Sequence, residues 1–309
     1  MKKVVSTLGL PHEEWLKYRK LGIGGSDAGA ICGLNPYTSA IEVYLDKTSE
    51  EITDNDNEAM RQGRDLEDYV AQRFCEATGK KVRRANAIYC REDQSFMFAN
   101  VDRMIVGEDA GLECKTASAY SADKWKEDEI PMHYQIQCHH YMAVTGAKAW
   151  YIAVVILGKE FKYQRIERDE ELIQSLITIE SKFWSENVLQ YNMPEPDGSD
   201  AAEQMITRYY HLAREKEKIE LPGYQEKLLR RNELTELIDR MEQEKKKIEQ
   251  EVKLAMADAE IAVCEDFFIT WKNMCTKRLD AERLKEEQPE IYRQFIKEIQ
   301  TRRFSIKVA

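Results

Sequence analysis

The sequence predicts an α/β fold built on a mixed β-sheet, and three observations predict it. Helical and strand-like segments alternate through the first 195 residues, the pattern of helices layered on a sheet around one core. Residues 58–78 repeat apolar side chains at helical spacing and stop at Gly79, a residue suited to the left-handed turn after a helix. Several short runs rich in β-branched and aromatic residues, such as 149–157, have the length and composition of strands.

The elements follow in order. Residues 12–20 read as a helix opened by His12-Glu13-Glu14-Trp15. A turn at Gly22-Ile23-Gly24-Gly25-Ser26-Asp27 leads into a helix from Ala28. After the 58–78 helix, strands are expected at 86–91, 96–105, 111–116, 149–157 and 161–166. A helix over 131–145 opens at Pro131, whose missing N–H is harmless in a first turn, and stops at Gly146. Met193-Pro194-Glu195-Pro196-Asp197-Gly198-Ser199 makes a loop or boundary, so a core over 1–195 and an extension over 196–309 are expected.

In the extension a helical pattern breaks at Leu221-Pro222-Gly223 and resumes at Tyr224. Positions 234, 238, 241, 245, 248, 252, 255 and 259 are Leu, Ile, Met, Lys, Ile, Val, Ala and Ala. All but the lysine fit the 4-3 spacing of a coiled-coil seam. The pattern predicts a long antiparallel helical hairpin packed on its own chain, with an intermolecular coiled coil as the alternative. Residues 261–271 read as β structure, a helix follows from Pro289 to Thr301, and Phe304-Ser305-Ile306-Lys307-Val308 alternates like a strand.

Composition excludes several classes. With 309 residues, 43% hydrophobic, 14 Gly and 7 Pro, the chain is neither disordered nor fibrous. No apolar run is long enough for a membrane helix, so no membrane partner is expected. The N-terminus is basic but lacks the apolar core of a secretory signal, and a cytoplasmic location is expected. Seven scattered cysteines with no Cys-x-x-Cys pair argue against a disulfide framework, a zinc module or a cysteine-held iron–sulfur cluster. The net charge of −10 opposes non-specific nucleic-acid binding. An acidic metal cleft beside a local basic strip reconciles the two. Lys80, Lys81, Arg83, Arg84, Lys124 and Lys126 are candidates for that strip or for plain solvated surface.

The chemistry concentrates between residues 96 and 115. A hairpin turning at Gly107-Glu108-Asp109-Ala110-Gly111 brings Asp102 beside Glu113. Residues two apart on a strand share a face, so Glu113 and Lys115 point one way while Leu112 and Cys114 point into the core. Two neighbouring carboxylates repel and resist burial unless a cation joins them. Oxygen donors suit Mg²⁺, with Mn²⁺ as a substitute, rather than zinc. Such a metal binds a phosphate oxygen and lowers the pKa of a water. Lys115 would hold that water, and the Cys114 carbonyl offers one more oxygen.

Other candidates surround this pair. Glu67 on the 58–78 helix projects toward the cleft or into solvent. Tyr134, Gln137 and Tyr141 share one helix face, and a buried Gln137 needs partners. His133, His139 and His140 offer no two-histidine ligand pair and read as structural or surface residues. Upstream, Gly24, Gly25 and the Ser26 hydroxyl at a helix start form an anion site, to which Arg19 adds a bidentate fork; the alternative is a plain capped turn. The Gly-Lys-Ser/Thr of a P-loop is missing, so nucleotide hydrolysis is not expected.

Asp102 followed by Glu113-Cys114-Lys115 resembles the Asp…Glu-x-Lys signature of restriction-endonuclease-like nucleases. The order Arg19, Ser26, Glu67, Asp102, Glu113, Lys115, Gln137 resembles the YqaJ-type viral recombinases and, more distantly, phage lambda exonuclease, over residues 8–190. Leu21-Gly22-Ile23-Gly24-Gly25-Ser26-Asp27, Gly33-Leu34-Asn35-Pro36-Tyr37 and Tyr141-Met142-Ala143-Val144-Thr145-Gly146 carry the same resemblance. It implies a restriction-endonuclease-like core, a central mixed sheet flanked by helices. It implies Mg²⁺-dependent degradation of one strand of duplex DNA from a free 5′ end, leaving a 3′ strand for a single-strand annealing protein. Asp102, Glu113 and the Cys114 carbonyl would be metal ligands and Lys115 the catalytic lysine. Glu67, through a water, and Gln137 would support the metal, and Arg19, Ser26 and Tyr134 would hold DNA phosphate. A homo-oligomer, trimeric as in the lambda enzyme, in the cytoplasm of a bacterial host is also implied. The alternatives are a related DNA endonuclease, an RNA-directed nuclease, and a non-catalytic DNA-binding or scaffold protein. Residues 200–309 lie outside the lambda-type core, and their role is open.

Overall fold

The computed structural model describes residues 1–52, 57–213, 217–297 and 301–307, the side chains of residues 127 and 128 apart. Its first elements are β1 (Lys2–Ser6), α1 (His12–Lys20), α2 (Gly25–Ile31), α3 (Ala40–Thr48) and α4 (Glu58–Thr78). Then come the short strands β2 (Val82–Arg84), β3 (Ala87–Cys90), β4 (Phe98–Asn100) and β5 (Arg103–Ile105). The centre is β6 (Ala110–Ala117), α5 (Met132–Thr145), β7 (Ala149–Ile156) and β8 (Glu160–Glu167), followed by α6 (Glu170–Lys182) and α7 (Asp200–Tyr209). Local chemistry sets the helix ends. The Asn57 side chain accepts from the Met60 N–H at the start of α4, and Gly79 and Gly146 close α4 and α5 with φ of 71° and 80°.

Five strands in the order β2-β5-β6-β7-β8 form the main sheet. β6 and β7 run parallel, with α5 as the crossover, and the other pairs are antiparallel. This is the mixed sheet flanked by helices that the sequence predicts. β7 is buried at every position because both sheet faces are covered. Val70 and Phe74 of α4 pack with Leu112, Tyr151 and Ala153 on one face. Cys138 and Met142 of α5 pack with Trp150, Ile152 and Val154 on the other. Gly111 lets the sheet close over that second layer, since a Cβ there would lie 2.2 Å from the Trp150 ring. Gly111→Ala is expected to cost about 1–3 kcal/mol through overpacking, read as a lower midpoint in urea.

The single strand expected over 96–105 is instead two. Phe98–Asn100 pairs with β3 in a second sheet ordered β1-β3-β4. Arg103–Ile105 joins the main sheet between β2 and β6. The chain changes sheets at Val101-Asp102, so Asp102 stands at a bend rather than in a regular strand. The Ile23 N–H donates to the Phe96 carbonyl (2.7 Å) and the Phe98 N–H to the Ile23 carbonyl (2.8 Å), tying the glycine-rich turn to β4.

Two compact units divide the chain, Met1–His211 and Leu212–Ala309. The boundary lies beyond the expected residue 195 because α7 packs on α3 and buries Ala201 and Ala202. In the second unit, α8 (Gln225–Met256) is followed by the antiparallel pair β9 (Ile261–Cys264) and β10 (Phe267–Thr270), then α9 (Ala281–Glu287) and α10 (Pro289–Phe295). The helical hairpin expected here is corrected to one 32-residue helix. It ends at Ala257 with φ of 45°, and the chain turns into β structure rather than a second heptad run. α10 stops short of the expected Thr301, and residues 298–300 lie outside the described residues. Residues 301–307 form no strand, and Val308, the end of the strand expected there, lies outside the described residues. Among the described residues no helix is long and apolar enough to cross a membrane.

Candidate active site

The β5–β6 pairing sets Arg103 against Leu112 and Met104 against Gly111. Continuing that register carries Asp102 toward Glu113. The Cys114 N–H donates to Asp102 Oδ2 at 2.8 Å, which fixes the carboxylate at the bend. Leu112 lies in the α4 layer of the core and Cys114 packs against it. Glu113 and Lys115 face α5, as side chains two apart on a strand must.

Five groups meet there. Lys115 Nζ lies 2.6 Å from Glu113 Oε1. Gln137 Nε2 on α5 donates to the same oxygen at 2.8 Å and to the Tyr141 hydroxyl at 3.0 Å. The Tyr134 ring stands 4.7 Å from the Lys115 ammonium, a cation–π contact, and stacks on Trp125. Glu113 Oε2 is buried with no hydrogen-bond partner. Burial and the charges of Glu113 and Glu67 push the Asp102 carboxyl well above the usual carboxylate range. Burial also raises Glu113, although Lys115 opposes it. Burial alone would lower the Lys115 ammonium, but Glu113 and its neighbours raise it, so it is charged at neutral pH.

Such a site holds more negative charge than its single lysine balances, and it leaves one carboxylate oxygen bare. Both features fit a bound cation. Among the described residues no three His, Cys, Asp or Glu side chains gather into a metal site. The reason lies with Glu67. Glu67 and Asp68 of α4 are ion-paired to Arg103, which is buried and donates to the Asp102 carbonyl at 2.7 Å. Glu67 is therefore one ion pair removed from the Asp102–Glu113 pair. Two carboxylates and a backbone carbonyl still suit Mg²⁺, which keeps several waters and uses few protein ligands.

The second cluster lies one helix away. Gly25 opens α2 against α5, and a Cβ there would lie 2.6 Å from the Tyr141 ring. Only glycine permits that approach, which sets the start of α2 against the Gln137–Tyr141 pair. Arg19 lies 3.5 Å from Ser26 Oγ and 3.2 Å from Asp27 Oδ1, over the Trp15 ring. Asp27 also ion-pairs at 2.8 Å with Lys47, whose side chain is fully buried. Burial would push the Asp27 carboxyl up, yet Lys47 and Arg19 hold it well below its usual range. Arg19 keeps 38% of its side chain exposed.

The histidines are structural or peripheral. His140 bridges Glu180 and the Phe98 carbonyl, both at 2.8 Å, and His139 contacts the Gln135 carbonyl. His133 is brought down to about 4 by burial and by Lys115 and Lys124, which keeps it neutral. Several candidate basic contacts are already paired: Lys80 with Glu108, Arg84 with Asp68 and Lys126 with Asp123. Lys124 donates to the Tyr37 hydroxyl at 3.1 Å. Sequence reasoning missed Arg103, Lys47 and the role of Asp27 as the counterion of Lys47 and Arg19. The available signal was a lone basic residue in an apolar segment, Val101-Asp102-Arg103-Met104-Ile105 and Val43-Tyr44-Leu45-Asp46-Lys47.

The mixed sheet flanked by helices, with a carboxylate at its bend and a Glu-x-Lys strand at its centre, has the fold of an alkaline exonuclease. The structure matches the alkaline exonuclease LHK-Exo from Laribacter hongkongensis with a TM-score of 0.50 and 20% identity, covering 64% of this chain and 97% of that one. The complex of LHK-Exo with dAMP matches at 0.51 with the same coverage. At that identity the likeness is one of fold. The profile of the YqaJ-like viral recombinase domain matches residues 14–148. The uncharacterized protein YqaJ of Bacillus subtilis (strain 168) is 40% identical over 302 residues, 96% of this chain and 95% of that one. The chain belongs to the YqaJ-like viral recombinase family.

Proposed function

We propose that the protein is a Mg²⁺-dependent exonuclease that degrades one strand of duplex DNA from a free 5′ end and leaves a 3′ strand for a single-strand annealing protein. The observation that carries this reading is the convergence of Asp102, Glu113 and Lys115 at one buried point with Glu113 Oε2 unpartnered. Family membership and the alkaline-exonuclease fold support it.

In this reading Asp102, Glu113 and the Cys114 carbonyl hold Mg²⁺, with Mn²⁺ as a substitute. When bound, the metal neutralises a phosphoryl oxygen and lowers the pKa of a water. Lys115 contributes its own chemistry. Its charged Nζ, held between Glu113 and the Tyr134 ring, donates a hydrogen bond to the attacking water and offsets charge on the phosphoryl group. Gln137 fixes Glu113 through Oε1 and leaves Oε2 for the cation. Glu67 acts through Arg103, which holds the bend at Asp102. Arg19 and Ser26 take the terminal phosphate of the 5′ strand, with Asp27 aiming the guanidinium. Assembly into a homo-oligomer, a trimer by family resemblance, would enclose the DNA.

The first test compares linear duplex DNA with covalently closed circles in Mg²⁺. The expected result is loss of the linear substrate alone. Cutting of both assigns an endonuclease, and cutting of neither removes the nuclease reading. Arg19→Ala is expected to slow digestion of 5′-phosphorylated ends more than that of 5′-hydroxyl ends. Equal losses on the two ends would remove Arg19 from phosphate binding.

A further inference from the structure

The 32-residue helix α8 carries a seam that no described residue of the second unit covers. Leu234, Ile238, Met241 and Ile248 are 43%, 55%, 69% and 55% exposed, and Met256 is the one buried residue of the helix. A solvated helix of this length is stable through side-chain pairing along its surface, yet six apolar residues, Leu234, Ile238, Met241, Ile248, Val252 and Ala255, repeat on one stripe. That stripe has the geometry of a coiled-coil strand awaiting a second helix.

The flanking charges say which helix. With Ile238, Lys245 and Val252 at the a positions and Leu234, Met241, Ile248 and Ala255 at d, the e and g positions of the last heptads are Glu242, Glu244, Glu249 and Glu251. The lysines and arginine of the same stretch, Arg240, Lys246, Lys247 and Lys253, lie on the outer b and c positions. Charge is thus segregated: both margins of the seam are acidic. Two loose exposed ion pairs, Lys245–Glu249 at 3.8 Å and Lys247–Glu251 at 3.9 Å, are weak enough to exchange for others.

A second copy of α8 is a poor occupant. In a parallel pair Glu244 faces Glu249 of the copy and Lys245 faces Lys245. In an antiparallel pair that matches apolar stretch to apolar stretch, Glu244 faces Glu251 and Glu242 faces Glu249. Shifting the antiparallel pair to full overlap relieves those contacts but sets Lys227 and Arg231 in the seam. Margins of this kind select partner and orientation.

We propose that α8 docks a heterotypic partner: an amphipathic helix with an apolar heptad seam margined by lysine or arginine. The acidic margins that reject a second copy of α8, and equally a nucleic-acid backbone, attract such a helix.

The test uses fluorescently labelled synthetic peptides of about four heptads with an Ile/Leu seam, one with lysine at every e and g position and one with glutamate there. The full chain is expected to bind the lysine peptide, with affinity that falls as salt is added, and not the glutamate peptide. Ile238→Asn with Ile248→Asn, which keeps every charge, is expected to weaken binding by about tenfold or more. Lysine at 242, 244, 249 and 251 is expected to reverse the preference. The inference is overturned if the chain binds neither peptide, if it binds both alike, if the asparagine variant binds like the parent, or if the chain is an oligomer that the asparagine variant dissociates. DNA digestion is a separate readout and is expected to be unchanged in every α8 variant, so failure here and failure of the nuclease reading are distinguishable.

Discussion

Lys115→Ala is expected to lower cleavage of linear duplex DNA by roughly 10²–10⁴-fold while the protein stays folded. The lysine is the cationic partner of Glu113 at 2.6 Å and, in the proposed mechanism, would donate to the attacking water. Glu113 is only 3% exposed, so solvent does not take over from the lysine. Folding survives the substitution for a different reason. Without Lys115, burial pushes the Glu113 carboxyl further up, toward its neutral form, and Gln137 still holds Oε1. Circular dichroism and a thermal melt check the fold. Cleavage at the parent rate would remove Lys115 from the chemistry.

The largest stability effect is expected at Asp27. Asp27→Asn leaves the fully buried Lys47 ammonium without its close carboxylate partner, and breaking a buried pair costs roughly 3–5 kcal/mol. The 3.3 Å contact of Lys47 with Asp46 and its hydrogen bond to the Arg19 carbonyl keep the cost toward the lower end. The sign with pH follows from the depressed carboxyl. The folded state holds the Asp27 proton less tightly than the unfolded state, so the contribution is full above the ordinary carboxylate pKa and is lost as pH falls below it. Urea unfolding of parent and variant is therefore expected to show a gap at pH 7 that narrows at pH 3. A gap of equal size at both pH values would contradict the ion-pair account.

Much of this was readable in the sequence, because strong local signals dominate where they occur. The helices at 58–78 and 131–145 announce themselves by period and by their closing glycines. The apolar run at 149–156 has no reading other than a strand covered on both faces. The meeting of Asp102 with Glu113 follows from hairpin register alone. What could not be read is tertiary. β1, Lys-Lys-Val-Val-Ser, is a half-exposed edge whose pairing with β3 is fixed by distant residues. The break at Val101-Asp102 arises because two sheets compete for one segment, which no period reveals. Glu67 reads as a support for the metal, and its ion pair with Arg103 is not visible in the sequence. Asp27 looks like a capping residue, which it is, since the Gly24 N–H donates to Oδ2 at 2.9 Å, but its larger task is to neutralise Lys47 and aim Arg19. The α8 seam was legible as a heptad pattern, whereas its exposure among the described residues was not.

The claim on which the account turns is that Asp102 and Glu113 share one divalent cation. Calorimetric titration of the metal-free protein with Mn²⁺ measures it without reference to cleavage. The account predicts one site in the parent protein, weakened by about tenfold or more in Asp102→Asn and in Glu113→Gln alike. Parent-like Mn²⁺ binding in both variants would contradict it.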